Sequence, residues 1–348
     1  SRIELDRIDP GRIDKHRSRG LARAAMNGWI IMDKPVGLGS TQAVAAVKRV
    51  CREAGLGKVK VGHGGTLDPL ASGVLPIALG EATKLCGRML DASKVYDFTI
   101  AFGTETAGLD AEGDVVATSD VRPRLSEVAA ILPRFTGPIE QVPPAYSAIK
   151  IDGERAYDRA RAGETVEMKA RAVTIHALGI RHPGEGRDLA VGGSNSERRD
   201  PGLRRGDAEG AERLDSTSLT AHVSKGTYIR SLARDIARAV GTVGHVTMLR
   251  RTKAGPFALD QAISLDKLNA FGQGAAQSEI FLPLEAGLVD IPALDLSPEA
   301  AGAIRQGRVW TGGSTQDGLY WGRDADDRPV ALIEALAGTL KVVRGFNL

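Results

Sequence analysis

The run Val61-Gly-His-Gly-Gly-Thr-Leu-Asp-Pro-Leu-Ala-Ser-Gly-Val-Leu-Pro-Ile-Ala-Leu-Gly80 holds one carboxylate, Asp68, in an otherwise neutral stretch. Pro69 fixes its own φ and biases Asp68 toward extended backbone. Gly62, Gly64 and Gly65 allow another segment to approach closely. An acid in that setting is placed by the backbone, which makes it a candidate for carboxylate chemistry. Two plainer readings stand beside it: a loop aspartate that accepts turn hydrogen bonds, and a phosphate-cradling loop, although no Gly-Lys-Ser/Thr follows. A second candidate is Lys225-Gly-Thr-Tyr-Ile-Arg-Ser231. A glycine at a strand-to-helix junction exposes helix N-terminal N–H groups, which favour anions. Arg230, Arg234 and Arg238 share a helical face, and for Arg234 and Arg238 the plain reading is a solvated face partly paired by Asp235. Arg230 differs because it lies in the first turn beside Tyr228. The third candidate is Tyr96, which alternates with Phe98, Ile100 and Phe102 on a buried face. Its plain reading is a core tyrosine with a satisfied hydroxyl. The chain has only five tyrosines, so two of them beside motifs carry weight.

The elements that must position these residues follow from periodicity. Trp29 to Met32 reads as a buried strand. Ser40 is placed to cap the next helix, on which Val44, Val47, Val50 and Cys51 form one face. Lys58 to Gly62 reads as a short strand into the Asp68 loop, and Val74 to Leu79 as a buried strand out of it. Glu81 to Leu90 reads as helical. Tyr96 to Phe102 alternates as a strand, and Ser126 is placed to cap a helix through Phe135. Gln141 to Lys150 is a rigid turn into a strand, and Asp152-Gly153 is a turn signal. Val166 to Ile180 and Leu219 to Ser224 carry strand character. A helix from Tyr228 to about Val240 buries Ile229, Leu232, Ala233, Ile236 and Val240.

The chain has 348 residues, 42% of them apolar, and a net charge of +3. That length suits about two domains, and the charge is only a faint pointer to a polyanionic partner. No run approaches the ~18 apolar residues of a membrane span. Residues 1–25 are charged and lack an apolar signal core, so the expected compartment is the cytoplasm and the expected leader is disordered. Cys51 and Cys86 have no metal-ligand spacing, and the six histidines form no HxH or HxxxH pair, so no metal is expected. Arg181 to Ser218 is rich in Gly, Arg, Asp and Glu and has no Phe, Tyr or Trp. It reads as a flexible insertion. After Phe281-Leu-Pro283, short strand-like runs point to a small β-rich C-terminal domain.

Taken together, these blocks resemble a known family. The run Gly62 to Pro76 is similar to the catalytic loop of TruB-type tRNA pseudouridine synthases. Asp33-Lys-Pro-Val-Gly-Leu-Gly-Ser40, Lys94-Val-Tyr96, Pro143-Pro-Ala-Tyr-Ser-Ala-Ile-Lys150, Lys225 to Arg230 and His245-Val-Thr-Met-Leu-Arg-Arg251 match in order. The resemblance implies an α+β fold. Its catalytic domain, with a mixed, mainly antiparallel sheet and flanking helices, spans 26–282, and a small PUA-like domain spans 283–348. It implies isomerisation of uridine-55 in the tRNA T loop, with no cofactor. By resemblance Asp68 is the catalytic carboxylate, Arg230 its charge partner, and Tyr96 the residue that stacks on the flipped base and moves a proton at C5. His63, Tyr228 and Leu249 match substrate-pocket residues, and Lys34 and Lys150 are placed as phosphate contacts. The implied partner is the tRNA T stem-loop, with no membrane, no obligatory protein partner and a monomeric enzyme. The rival readings are a guide-dependent H/ACA-type synthase, which shares the blocks, a tRNA-folding chaperone, and a phosphate-binding metabolic enzyme. The tyrosine-bearing blocks argue against the last.

Overall fold

The computed structural model describes residues 27–147, 149–151, 153–181, 212–273, 280–312 and 315–348. The expected leader at 1–25 lies outside these residues, as do 182–211 of the expected insertion and Asp152 of the expected turn. The described end of the insertion, from Ser216, is already strand. The chain falls into two compact units, Ser1–Asp91 with Lys253–Leu348, and Ala92–Thr252. Among the described residues no helix is long and apolar enough to cross a membrane.

In the first unit, strand Gly28–Lys34 pairs antiparallel with Ser72–Leu79, from Trp29 opposite Ala78 to Lys34 opposite Gly73. Val61–His63 also pairs antiparallel with Ser72–Leu79. Side chains alternate between faces along a strand. Both faces are covered here, so the two long strands read as nearly unbroken apolar runs. Trp29, Ile31, Val74 and Ala78 enter one core, while Ile30, Met32, Leu75, Ile77 and Leu79 enter another. Helix Ser40–Glu53 closes the second core through Ala43, Val47, Val50 and Cys51, which lie on one face of a 3.6-residue period. The expected stripe is shifted at its first member, since Ala43 is buried and Val44 only half-buried. Burial pushes the Cys51 thiol up to about 11, which keeps it protonated near neutral pH.

The first core is closed by Ala82, Leu85 and Met89, from the helical turns Gly80–Leu85 and Cys86–Asp91. Trp29 sits within it, donating its indole N–H to the Leu284 carbonyl at 3.1 Å, with its ring 5.1 Å from that of Phe257. The expected β-rich C-terminal region is a five-stranded sheet. Its order is Ala293–Asp295, Gly318–Arg323, Pro329–Leu336, Thr339–Gly345, Trp310–Thr311. Helix Pro298–Arg305 packs on it, capped by Ser297. Leu332 and Phe346 of this region belong to the Trp29 core.

The second unit is built on strands in the order Gly244–Ala254, Lys94–Phe102, Ser216–Val223, Arg171–Ile180, Gly137–Gln141. The last four pair antiparallel, as expected of a mainly antiparallel α+β fold. The last two residues of Gly244–Ala254 belong to the first unit. Phe98 and Ile100 are fully buried, and helix Ile229–Ala239 lies against their strand with Ile229, Leu232, Ala233 and Ile236 inward. Val240, expected in that stripe, falls just past the helix and is half-buried.

The chain's last residues return to the turn after Ser72–Leu79. The Glu81 carboxylate accepts hydrogen bonds from Lys84 Nζ at 2.6 Å and the Asn347 N–H at 2.7 Å, and Lys84 also donates to the Gly345 carbonyl at 2.9 Å. Burial alone would raise the Glu81 carboxyl, but these hydrogen bonds outweigh it and hold it below its ordinary value of 4.5. A carboxyl lowered in the folded state stabilises above its unfolded value and loses that contribution as pH falls through its folded value. Glu81→Gln is therefore expected to melt lower than the parent at neutral pH, with the gap closing below about pH 4.5. Thermal melts across that range check this; a gap that stays constant with pH contradicts it.

Candidate active site

Asp68 is half-buried on the loop between Val61–His63 and Ser72–Leu79. The backbone on either side of it is tied to the segment after the first strand. The Gly37 N–H donates to the Pro69 carbonyl at 2.8 Å. Lys34 Nζ donates to the carbonyls of Leu38 at 2.6 Å, Pro35 at 2.9 Å and Pro69 at 3.4 Å. Leu67, which is 3% exposed, exchanges hydrogen bonds with the Ser40 hydroxyl, and the Ala71 N–H donates to the Asp68 carbonyl at 3.0 Å. Lys34 is 0% exposed and three carbonyls engage its ammonium, so its position is that of a buried clamp. The sequence reading made Lys34 a phosphate contact; the structure places it buried, with its ammonium donating to these carbonyls. Ser40 also differs from expectation. Gly39 is the N-cap, its N–H served by Gln42 Oε1 at 2.7 Å, and Ser40 is the first helical residue.

His63 ends the strand that enters this loop, half-buried and opposite Ile77. The next residue, Gly64, donates to the Pro76 carbonyl at 2.8 Å, and a Cβ there would lie 2.6 Å from Met89 Cβ. Met89 Cβ is fixed to its helix backbone, so no rotamer change relieves that contact. Gly64→Ala is expected to lose about 1–3 kcal/mol of stability. Truncating Met89 is costly in its own right, since it fills the core. The check is therefore a double-mutant cycle: Gly64→Ala is expected to cost less on a Met89→Gly background than on a Met89→Ala background, which keeps the Cβ. Thermal melts of the single and double variants read this out, and a Gly64→Ala protein as stable as the parent contradicts it.

In the second unit, Arg230 is 5% exposed in the first turn of its helix. Its Nη1 donates to Asp110 Oδ2 at 2.9 Å and to the Gly108 carbonyl at 2.8 Å, and its Nη2 donates to the Tyr146 carbonyl at 3.0 Å. Asp110 is itself 5% exposed. Breaking a buried pair of this kind leaves an uncompensated charge, a loss of about 3–5 kcal/mol. The segment carrying Asp110 is correspondingly tight. Leu109 has φ +59°, a left-handed conformation rare outside glycine, and its carbonyl accepts from Val246 N–H at 3.0 Å. Tyr228 is the N-cap residue of the helix, and the side chain of Gln141, 2% exposed, holds both its N–H, at 2.8 Å, and its carbonyl, at 3.1 Å. Of the other two arginines on this face, Arg234 pairs with Asp235 at 2.8 Å and Arg238 with Glu105 at 2.8 Å.

Tyr96 is half-buried near the start of its strand, with Arg251 Nη1 3.5 Å from its hydroxyl. Arg251 is 1% exposed, and Leu249, 6% exposed, precedes it by two on the neighbouring strand. Lys150 is exposed on the small hairpin Lys150–Ile151 with Glu154–Arg155, beside a shallow pocket it shares with Arg155 and Arg159. The structure thus gathers Lys34, His63 and Asp68 around one loop in the first unit. In the second it places Tyr228 with Arg230, and Tyr96 with Leu249. Asp110, Gln141 and Arg251 escaped sequence reasoning. Asp110 and its turn-rich surroundings look like surface loop. The available signal was Arg230 itself, since an arginine between apolar Ile229 and Leu232 must find a buried acid.

The α+β architecture has known counterparts. The fold is similar to a chain in a structure of an H/ACA RNP bound to a substrate RNA containing 2′-deoxyuridine, with a TM-score of 0.64 at 22% identity, covering 94% of this chain and 87% of that one. It is also similar to a chain of a Cbf5–Nop10–Gar1 complex, with a TM-score of 0.63 at 24% identity, covering 94% and 86%. Residues 52–190 match the N-terminal domain of the TruB family pseudouridylate synthases, and residues 230–289 match the tRNA pseudouridylate synthase B C-terminal domain. The chain is 66% identical over 323 residues to a tRNA pseudouridine synthase B of Novosphingobium aromaticivorans, covering 93% of this chain and 98% of the relative. It is 53% identical to that of Zymomonas mobilis, covering 93% and 97%. The chain belongs to the TruB family of pseudouridine synthases.

Proposed function

We propose that this protein converts uridine-55 of the tRNA T loop to pseudouridine, with Asp68 as its catalytic carboxylate. The observation that carries the reading is the mounting of Asp68. The acid projects from a loop whose flanking peptides are tied by Lys34, Gly37 and Ser40, in a chain whose relatives, matched over nearly their whole length, are named tRNA pseudouridine synthase B. The reaction is an isomerisation. The bond from C1′ to N1 breaks, the base turns, C1′ joins C5, and the proton lost from C5 is balanced by one gained at N1. A carboxylate assists this at the sugar, either by attack on C1′ or by promoting loss of the 2′ proton.

The target base is stacked within folded RNA and must be extruded. Tyr96 stacks on the extruded base and moves the C5 proton. Arg230 is the second charged residue of the reaction, its guanidinium held in orientation by Asp110. His63 fills space near the displaced base, and Tyr228 and Leu249 line the pocket. Excluding water there matters, because water would capture a cleaved sugar. Lys150 meets a phosphate of the RNA, a role that its exposure supports. The enzyme acts in the cytoplasm as a monomer on free tRNA, with no cofactor and no protein partner. The fold likeness to chains of H/ACA complexes is compatible with a guide-dependent enzyme, but at 22–24% identity it speaks to fold alone. Asp68→Asn is expected to lower turnover by roughly 10³-fold or more while T-stem-loop binding persists. Tritium release from C5-labelled uridine, run beside a filter-binding titration, measures both. Appreciable turnover in that variant would remove Asp68 from its role.

A further inference from the structure

We infer that Ser40 is a positioning residue for Asp68: its hydroxyl sets the peptide plane from which the catalytic side chain projects. This rests on the proposed role of Asp68. Ser40 Oγ donates to the Leu67 carbonyl and accepts from the Leu67 N–H, each at 2.8 Å. A hydroxyl has one proton and two lone pairs, so a single atom satisfies both groups. The Leu67 carbonyl belongs to the same planar peptide as the nitrogen of Asp68. Fixing it fixes the plane that carries the Asp68 Cα.

A serine at the start of a helix ordinarily spends its hydroxyl on the helix's own N–H groups. Here the helix does without it, since Gly39 is the N-cap and the Gln42 side chain serves the Gly39 N–H. Ser40 is 6% exposed and Leu67 3%, so water does not replace the contact readily. On the far side of Asp68 the loop is held by backbone and by Lys34. On the near side the Ser40 hydroxyl holds both polar groups of Leu67. Alanine removes both bonds, cysteine keeps the size with a weak donor, and threonine keeps the hydroxyl.

The test is steady-state kinetics of the full chain on a T-stem-loop RNA, with Ser40→Ala, Ser40→Cys, Ser40→Thr and an Asp68→Asn control, each beside a thermal melt. The expected result is a kcat lowered roughly tenfold to a hundredfold in Ser40→Ala and Ser40→Cys, with KM unchanged and Ser40→Thr close to the parent. If Ser40→Ala does not fold, Ser40→Cys decides. Parental kcat in a folded Ala or Cys variant overturns the inference, as does a loss in KM alone or a threonine variant no better than alanine. An active Asp68→Asn protein would instead overturn the reading of Asp68 itself, so the two failures are distinct.

Discussion

The peptide groups flanking Asp68 are held by Lys34, Gly37 and Ser40, and much of the first unit keeps those three residues in place. Lys34 ends the strand that carries Trp29 to Met32, so its ammonium is located by side chains buried on both faces of that strand. Ser40 begins the helix whose Ala43, Val47 and Val50 close one of the two cores. Gly64 lets the loop settle against Met89, which the other core anchors. A short polar loop thus inherits the rigidity of close-packed interiors. Rigidity of that kind is what lets a carboxylate hold its aim at a reacting sugar.

The second unit meets the same requirement by a different route. Arg230 is surrounded by apolar helix neighbours, and its charge is balanced by Asp110 and by the carbonyls of Gly108 and Tyr146. Such a pair adds little net stability. Its value is orientation, since a guanidinium held at several N–H groups has few directions left. Gln141 complements this by holding the residue that starts the helix. The left-handed Leu109 lies in the segment that brings Asp110 under Arg230. Local strain of that kind persists when surrounding contacts over-determine it.

Strong periodicity made the two buried strands of the first unit, the Tyr96 strand and the Arg230 helix legible in the sequence. In the Asp68 loop the residues alone marked only an acid held by constrained backbone, for which a plain loop aspartate was an equally ready reading, and the catalytic reading came from the family resemblance. Other features depended on tertiary pairing that periodicity does not encode. Lys34 reads as a surface cation until the three carbonyls around it are known. Ser40 reads as a helix cap until Leu67 is seen to occupy its hydroxyl. Asp110 lies in a hairpin, Thr104–Thr106 with Val115–Thr118, whose turn-rich composition resembles any exposed loop. The C-terminal strands were visible as β-rich, yet nothing in their pattern announced that Leu332 and Phe346 share a core with Trp29.

The central claim is that this chain isomerises one uridine in the tRNA T loop without assistance. Mapping pseudouridine along unmodified tRNA incubated with the purified full-length protein alone tests it most directly. The account predicts a single new pseudouridine, at position 55, formed without guide RNA or added protein. No pseudouridine on free tRNA, or modification that appears only when a guide RNA and partner proteins are supplied, would contradict it.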